Sequence, residues 1–499
     1  MTHSVELDDV QGLLRFGYKH HVEASFVLLR VKDRAAACAW LADAPVTSAA
    51  PAEHPPATVL QLALSSEGLR ALGVSGDIVD AFSPEFVSGM GGDPSRARRL
   101  GDLGANAADQ WQWGTGERLP HVLVLLYALP GQLDAWQQSI EAQCAAGFDI
   151  LSRLPCSDLR GAEPFGFADG ISQPQVDWER SRPAHDAEQL VYSNLGCLGE
   201  FVLGYPNEYG GYTDRPLIAC ERDARALLPR AEDAPGQLDL GRNGSYLVMR
   251  QLSQDVHGFW QYLDRLANGQ AARREQLAAA MVGRTLQGEP LTLLDPSPPA
   301  SGPAPDLNAF SYGADPRGVR CPLGAHVRRA NPRNADLPPG EPGLLSWFKR
   351  TLGFDAQALD QDRVASTRFH RLLRRGRAYG AAVPLAQALA APPDRDPPGL
   401  HFICLGANIA RQFEFVQSAW LDSSHFDGLQ RESDPLLGTR LPAPDGAATD
   451  HFSIPQPEGP DQRLTGLPQF VTVQGGAYFF LPGIRALRYL AQAGPGGFP

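Results

Sequence analysis

The sequence predicts an α+β fold made of a duplicated βαββαβ module, with antiparallel sheets and peripheral helices. Two observations lead there. "SFVLLRVKDRAAACAW" (25–40) and "SYLVMRQLSQDVHGFW" (245–260) share Ser25/Ser245, Arg30/Arg250 and Trp40/Trp260 at identical offsets. Each joins an apolar, strand-like run to a helical stretch. "HVLVLLYALPGQLDAW" (121–136) and "HFICLGANIARQFEFVQSAW" (401–420) again pair a His-led strand with a helix that carries a tryptophan. Two strand–helix units in each half make the βαββαβ pattern.

Taken in chain order, residues 1–155 form one half, 156–242 connect, and 243–499 form the other half. Proline-rich stretches at 44–57, 295–306, 391–399 and 441–461 read as surface loops, because proline lacks the donor that a strand ladder needs. With 499 residues, 43% of them apolar and 20% charged, the chain can bury a sizeable core. The outer sheet faces take the helices, and the other faces meet or cover a ligand.

The totals also exclude partners. A formal net charge of −12 argues against nucleic acid, whose phosphates demand clustered Lys and Arg. Arginines nevertheless crowd in "RRANPR" (328–333) and "RFHRLLRRGR" (368–377), which suits a small anionic ligand or a solvated arginine face. Seven scattered cysteines without a CxxC pattern give no disulfide framework and no zinc site. The start, "MTHSVELDDV", lacks a basic and then apolar leader, and the longest apolar runs fall short of a membrane span. The reading is a cytoplasmic protein in a reducing compartment.

Chemistry concentrates in "GFADG" (166–170), "CPLGAHVRRANPR" (321–333) and "RFHRLLRRGRAYG" (368–380). Asp-Gly by itself is also a strong turn signal. A lone histidine is more often structural than a ligand. Together with "DDVQGLLRFGYKHH", "GFADGISQP", "FVLGYPNEYG", "NGSYLVMRQL", "FICLGANIARQFEFVQSAW" and "PQFVTVQGGAYFFLPG", in this order along nearly the whole chain, they resemble the dye-decolorizing peroxidases. That is a haem peroxidase family built from two ferredoxin-like halves of the dimeric α+β barrel type.

The resemblance implies haem b as cofactor, with hydrogen peroxide and small phenolic or dye-like organic donors as reactants. A homo-oligomer is compatible with it. The family's GxxDG motif falls on Gly166, Asp169 and Gly170, which makes Asp169 the distal acid. His326 becomes the axial ligand, with His370 as a rival. Arg374 becomes the distal arginine, with Arg375 competing for the role. Of Arg328, Arg329 and Arg333, the last is favoured as a partner of a haem propionate. Glu414, on the helix "NIARQFEFVQSAW", is the candidate to accept the second ring N–H of the axial histidine.

In physical terms, a neutral imidazole is a standard axial donor to haem iron, and the opposite pocket decides the chemistry. A carboxylate there moves a proton between the peroxide oxygens if it starts ionised, and an adjacent arginine favours that form. The expected optimum is mildly acidic, roughly pH 3 to 5. The alternative is a non-catalytic protein of the same fold that handles haem or iron.

Two departures from the family stand out. Gly376 occupies the place where some members carry asparagine. An insertion at 335–366, with Trp347 and Phe348, marks the larger members and could shape a substrate entrance. Bulky donors would give up electrons at a surface Trp or Tyr, with Tyr379 one candidate among several.

Overall fold

In β1 (Glu23–Val31) residues 24–29 are buried, and in β3 (Val122–Ala128) and β5 (Ser245–Gln254) every residue is, so these strands are covered on both faces. The remaining strands of the main sheet are β2 (Thr58–Leu64), β4 (Phe148–Pro155), β6 (Leu373–Arg374), β7 (Arg377–Tyr379), β8 (Gly399–Gly406) and β9 (Val471–Leu481). The computed structural model describes residues 4–181, 194–294, 306–333, 366–390, 396–443 and 446–492.

The sheet runs β6–β8–β5–β9–β2–β3–β1–β4, with β7 also paired to β8. All of its pairings are antiparallel. Read by halves, β2–β3–β1–β4 is the strand order of one βαββαβ module. The order β6/β7–β8–β5–β9 repeats it. The two modules join through β9 and β2, where Phe480 pairs with Leu64.

The helices include α1 (Arg34–Asp43), α2 (Leu133–Cys144), α3 (Val256–Leu266), α4 (Ala271–Val282) and α5 (His326–Ala330). Asp33 caps α1 by accepting from Ala36 N, and Asp255 caps α3 by accepting from Gly258 N. Trp40 and Trp260, the matched tryptophans of the repeat, both pack into the helix-side core with Val27, Leu62, Val124 and Val248. The intervening residues Phe26, Leu28, Leu125, Leu247, Met249 and Phe479 form a second core on the opposite sheet face. Alternate residues thus feed different cores, as the pleat requires.

Among the described residues no ladder joins β4 to β7. The two ends of the sheet approach through Ser157 N donating to Ala378 O at 2.8 Å and the His401 ring on Pro155 O at 3.2 Å. The barrel-type expectation is therefore met by a rolled sheet without strand closure.

Three local expectations need correction. The tryptophan-bearing stretch after β8 is wound as π-helix over Ala410–Glu414 and Val416–Leu421. Side chains occupy carbonyls there: Ser418 Oγ donates to Glu414 O at 2.7 Å, and the His370 ring bonds Arg411 O. The wider turn bonds an N–H to the carbonyl five residues back, as Glu414 N does to Ile409 O at 3.0 Å. Within 441–461, read as loop, His451–Ile454 forms a hairpin strand with Gln462–Thr465. A small pair, Gln175–Val176 with Leu195–Gly196, is parallel. Among the described residues no helix is long and apolar enough to cross a membrane.

Candidate active site

One cavity of about 520 Å³ collects the residues singled out in the sequence. Asp169, Arg374, His326, Arg333 and His370 all line it, together with apolar Phe167, Leu252, Phe402, Phe413 and Leu436. Its size lies within the range of about 300–1,000 Å³ usual for small-molecule sites.

The GFADG loop owes its shape to glycines. Gly166 and Gly170 have φ of 98° and 73°, a region that L side chains rarely enter. Between them the chain is tied down by Ala168 N to Leu286 O and Asp169 N to Gly161 O, both at 2.9 Å. Asp169 is thereby presented as an exposed side chain on the cavity wall. Its Oδ1 accepts from Gly170 N at 2.6 Å and lies 3.6 Å from Arg374 Nη1. Oδ2 is left for a reacting proton.

Arg374 ends β6 and is held by the same loop. Its backbone N donates to Gln173 Oε1 at 3.0 Å, and Nη2 donates to Ser172 O at 3.0 Å. Arg375 also borders the cavity, but its guanidinium is committed to backbone carbonyls. It donates to Leu13 O and Leu14 O at 2.7 and 3.2 Å. Of the two arginines, Arg374 is the one beside Asp169. Gly376 follows; a Cβ there would lie 2.5 Å from His401 O, so an asparagine does not fit this backbone.

His326 opens α5, and its Nδ1 bonds Asp434 Oδ2 at 2.9 Å. With Nδ1 donating, Nε2 carries the lone pair. Asp434 is fully buried, and its Oδ1 accepts from Leu436 N and Leu437 N at 2.9 and 2.8 Å. Burial pushes the Asp434 carboxyl up, but His326, Arg329 and the Leu437 N–H outweigh it and hold the group below the usual carboxylate range.

Glu414 is therefore not the histidine's partner. It accepts from Arg96 Nε at 2.7 Å and Tyr478 Oη at 2.9 Å, with Arg99 at 3.4 Å. The π-helical winding turns it toward the helix Pro94–Leu100 and β9, away from the cavity. Asp434 was missed because 108 residues separate it from His326 and no spacing motif marks it.

His370, the rival ligand, is 6% exposed, stacked on Phe415 at 3.6 Å and bonded to Arg411 O. Burial, with Arg411 nearby, pushes its pKa down to about 4, a neutral structural ring. Arg328 and Arg329 are also structural. The first bonds Asp315 and Cys321 carbonyls; the second bonds the carbonyls of Trp420, Ser423 and Glu432. Arg333 alone of the three lines the cavity, stacked 3.7 Å above Phe310 and donating to Asn308 O and Phe310 O. Arg284, which the sequence reading passed over, lines the cavity too and donates to Ser172 Oγ at 2.8 Å. Burial first, with Arg333 and Arg374 adding to it, lowers its pKa to about 10. Tyr379 stacks on His401 at 4.5 Å, whereas Trp347, Phe348 and nearly all of the 335–366 insertion lie outside the described residues.

Among the described residues no three His, Cys, Asp or Glu side chains gather as a metal site. A single imidazole backed by a carboxylate, in a largely apolar cavity with arginines, fits a metal already held by a macrocycle.

No family model matches the chain. It is 29% identical over 448 residues to a multifunctional dye peroxidase, DyP2, of Amycolatopsis sp., covering 86% of this chain and 82% of that one. A dye-decolorizing peroxidase, msp1, of Mycetinis scorodonius is 27% identical, with 97% and 87% covered. The crystal structure of a fungal DyP-type peroxidase from Auricularia auricula-judae superposes with a TM-score of 0.72 at 26% identity, covering 98% of this chain and all of that one. A further structure, of a dye-decolorizing peroxidase in complex with 2,6-dimethoxyphenol, has a TM-score of 0.71 at 24% identity, covering 98% of this chain and all of that one. By sequence and by fold, the chain is similar to the dye-decolorizing peroxidases.

Proposed function

We propose that the protein is a haem b peroxidase that reduces hydrogen peroxide and oxidises phenolic or dye-like donors one electron at a time. The observation that carries this reading is the convergence, in one cavity, of the Asp169–Arg374 pair and the Asp434-backed His326. Haem storage or transfer needs neither a distal acid nor a distal arginine.

The chemistry supplied by bound haem is peroxide reduction and the withdrawal of single electrons from donors. His326 would hold it through Nε2, with Asp434 fixing the tautomer and raising the basicity of the ring. Arg333 would meet a propionate, because guanidinium suits carboxylates. Asp169 Oδ2 would take a proton from one peroxide oxygen and return it to the other. Arg374 lies close enough to offset negative charge on that oxygen. Ser172 and Gln173 fix the arginine's place.

Residues 1–155 and 243–499 are taken as the two modules and 156–242 as the connector that carries the distal loop. A cytoplasmic location is supported by the seven cysteines, all free. Small molecules, not nucleic acid, are the partners that a net charge of −12 favours.

The test is turnover of a phenolic donor by haem-loaded protein with peroxide. Asp169→Asn should lower kcat about 10²- to 10⁴-fold with haem content unchanged. An unchanged kcat would remove Asp169 from the mechanism.

A further inference from the structure

The distal loop contains a second acid that the reaction does not use. Glu163 lies six residues before Asp169 and lines the same cavity. Its Oε1 accepts from Phe167 N at 3.0 Å; its Oε2 accepts from Phe165 N at 3.1 Å and from Gln254 Nε2 at 2.9 Å. Its backbone closes the same turn, with Glu163 N donating to Phe167 O at 2.9 Å and Gly166 N donating to Glu163 O at 2.8 Å. Gln254 ends β5, and Trp260 of α3 donates its indole N–H to Phe165 O at 3.1 Å. One side chain thus closes the turn and fastens it to the repeated strand–helix unit, immediately before the residue that must be placed.

We propose that Glu163 is a positioning residue for Asp169: it clamps the distal loop to β5, and its ionisation changes the charge felt by anions at the distal site. This rests on the peroxidase reading.

The surroundings say when that ionisation occurs. Burial pushes the Glu163 carboxyl up to about 7, against the pull of the Phe167 and Phe165 N–H groups and Gln254; nearby Asp169 adds to the rise. The facing side chain of β5 is the neutral Gln254. Arg250, on the same strand, is paired with Asp102, and Lys19 donates to Gly170 O at 3.1 Å. Arg284 is committed to Ser172 and to the carbonyls of Gly288 and Leu307. No cation forms an ion pair with Glu163 among the described residues. When it ionises, a second negative charge joins Asp169.

The probe is fluoride, read by absorption on haem-loaded protein from one pH unit below 7 to one above. In the wild type, fluoride affinity should fall up to about tenfold across that range beyond the change carried by Glu163→Gln, because an anion meets a new like charge. In Glu163→Gln that extra step should vanish. Equal pH dependence in both proteins would overturn the electrostatic part of the proposal. Gln254→Ala leaves Glu163 in place but unfastens it from β5. The second-order reaction with peroxide should then slow about 10- to 100-fold at unchanged haem content; an unchanged rate would overturn the clamp. If wild-type protein bound no haem at all, the peroxidase reading itself would fail.

Discussion

At the scale of single residues, the carboxylate of Asp434 divides its work between its two oxygens. Oδ1 is fixed by Leu436 N and Leu437 N, and Oδ2 is left to take the His326 ring. The geometry predicts that Asp434→Asn weakens haem retention or activity about 10- to 100-fold, measured by titrating haem into the purified variant. Glu414→Ala should behave in the opposite way. It leaves Arg96 and Tyr478 buried without their partner, at a cost of about 3–5 kcal/mol in denaturant unfolding, while the haem spectrum stays as in the wild type. Asp169 was legible in the sequence because the glycines around it hold positive φ, a constraint that writes itself into residue type. Asp434 was not, because an aspartate whose role is set by a fold-dependent contact looks like any other aspartate.

At the scale of elements, the end of β6 shows how two successive arginines can be committed to different partners. Arg374 faces the loop, Arg375 the carbonyls of Leu13 and Leu14, and Gly376 lets the chain pass close to β8. Gly376→Asn should therefore destabilise the fold by about 1–3 kcal/mol through overpacking, seen as a lower denaturation midpoint. An equally stable Asn variant would mean that β8 yields. The matched offsets of β1–α1 and β5–α3 were readable because an apolar run followed by a helical period is local information. The break between β6 and β7 and the π-helical winding after β8 were not. They depend on contacts with distant segments, such as the His370 ring on Arg411 O.

At the scale of the whole molecule, the buried titratable groups oppose one another with pH. Burial first, helped by Arg30 at His121 and Arg411 at His370, lowers the pKa of His121, His370 and His401 to about 4. These rings stay neutral in the fold, and the stability they carry is lost as pH falls from about 6.5 toward 4. Burial raises Glu163 and Glu200 to about 7, against the N–H donors on the first and Arg411 on the second. Their stability is full below the unfolded value near 4.3 and declines as pH rises toward 7. Raising the pH from about 4.5 to about 6.5 should therefore change the stability of the wild type less favourably than that of Glu163→Gln, by up to about 1.4 kcal/mol per pH unit, measured by denaturant unfolding. The duplicated architecture was legible from its repeat. The rolled sheet was only partly so, because Ser157 and Ala378 meet through the three-dimensional path of the chain and not through any pattern in either segment.

The central claim is that His326 and Asp169 serve one haem peroxidase site. It is tested most directly by the visible absorption spectrum of protein supplied with haem, before and after one equivalent of hydrogen peroxide, beside His326→Ala and Asp169→Asn. A single haem peroxidase site gives a ferric haem band that changes rapidly with peroxide, is lost or altered in the His326 variant, and persists but responds slowly in the Asp169 variant. A haem band indifferent to peroxide, or one unchanged in the His326 variant, would contradict it.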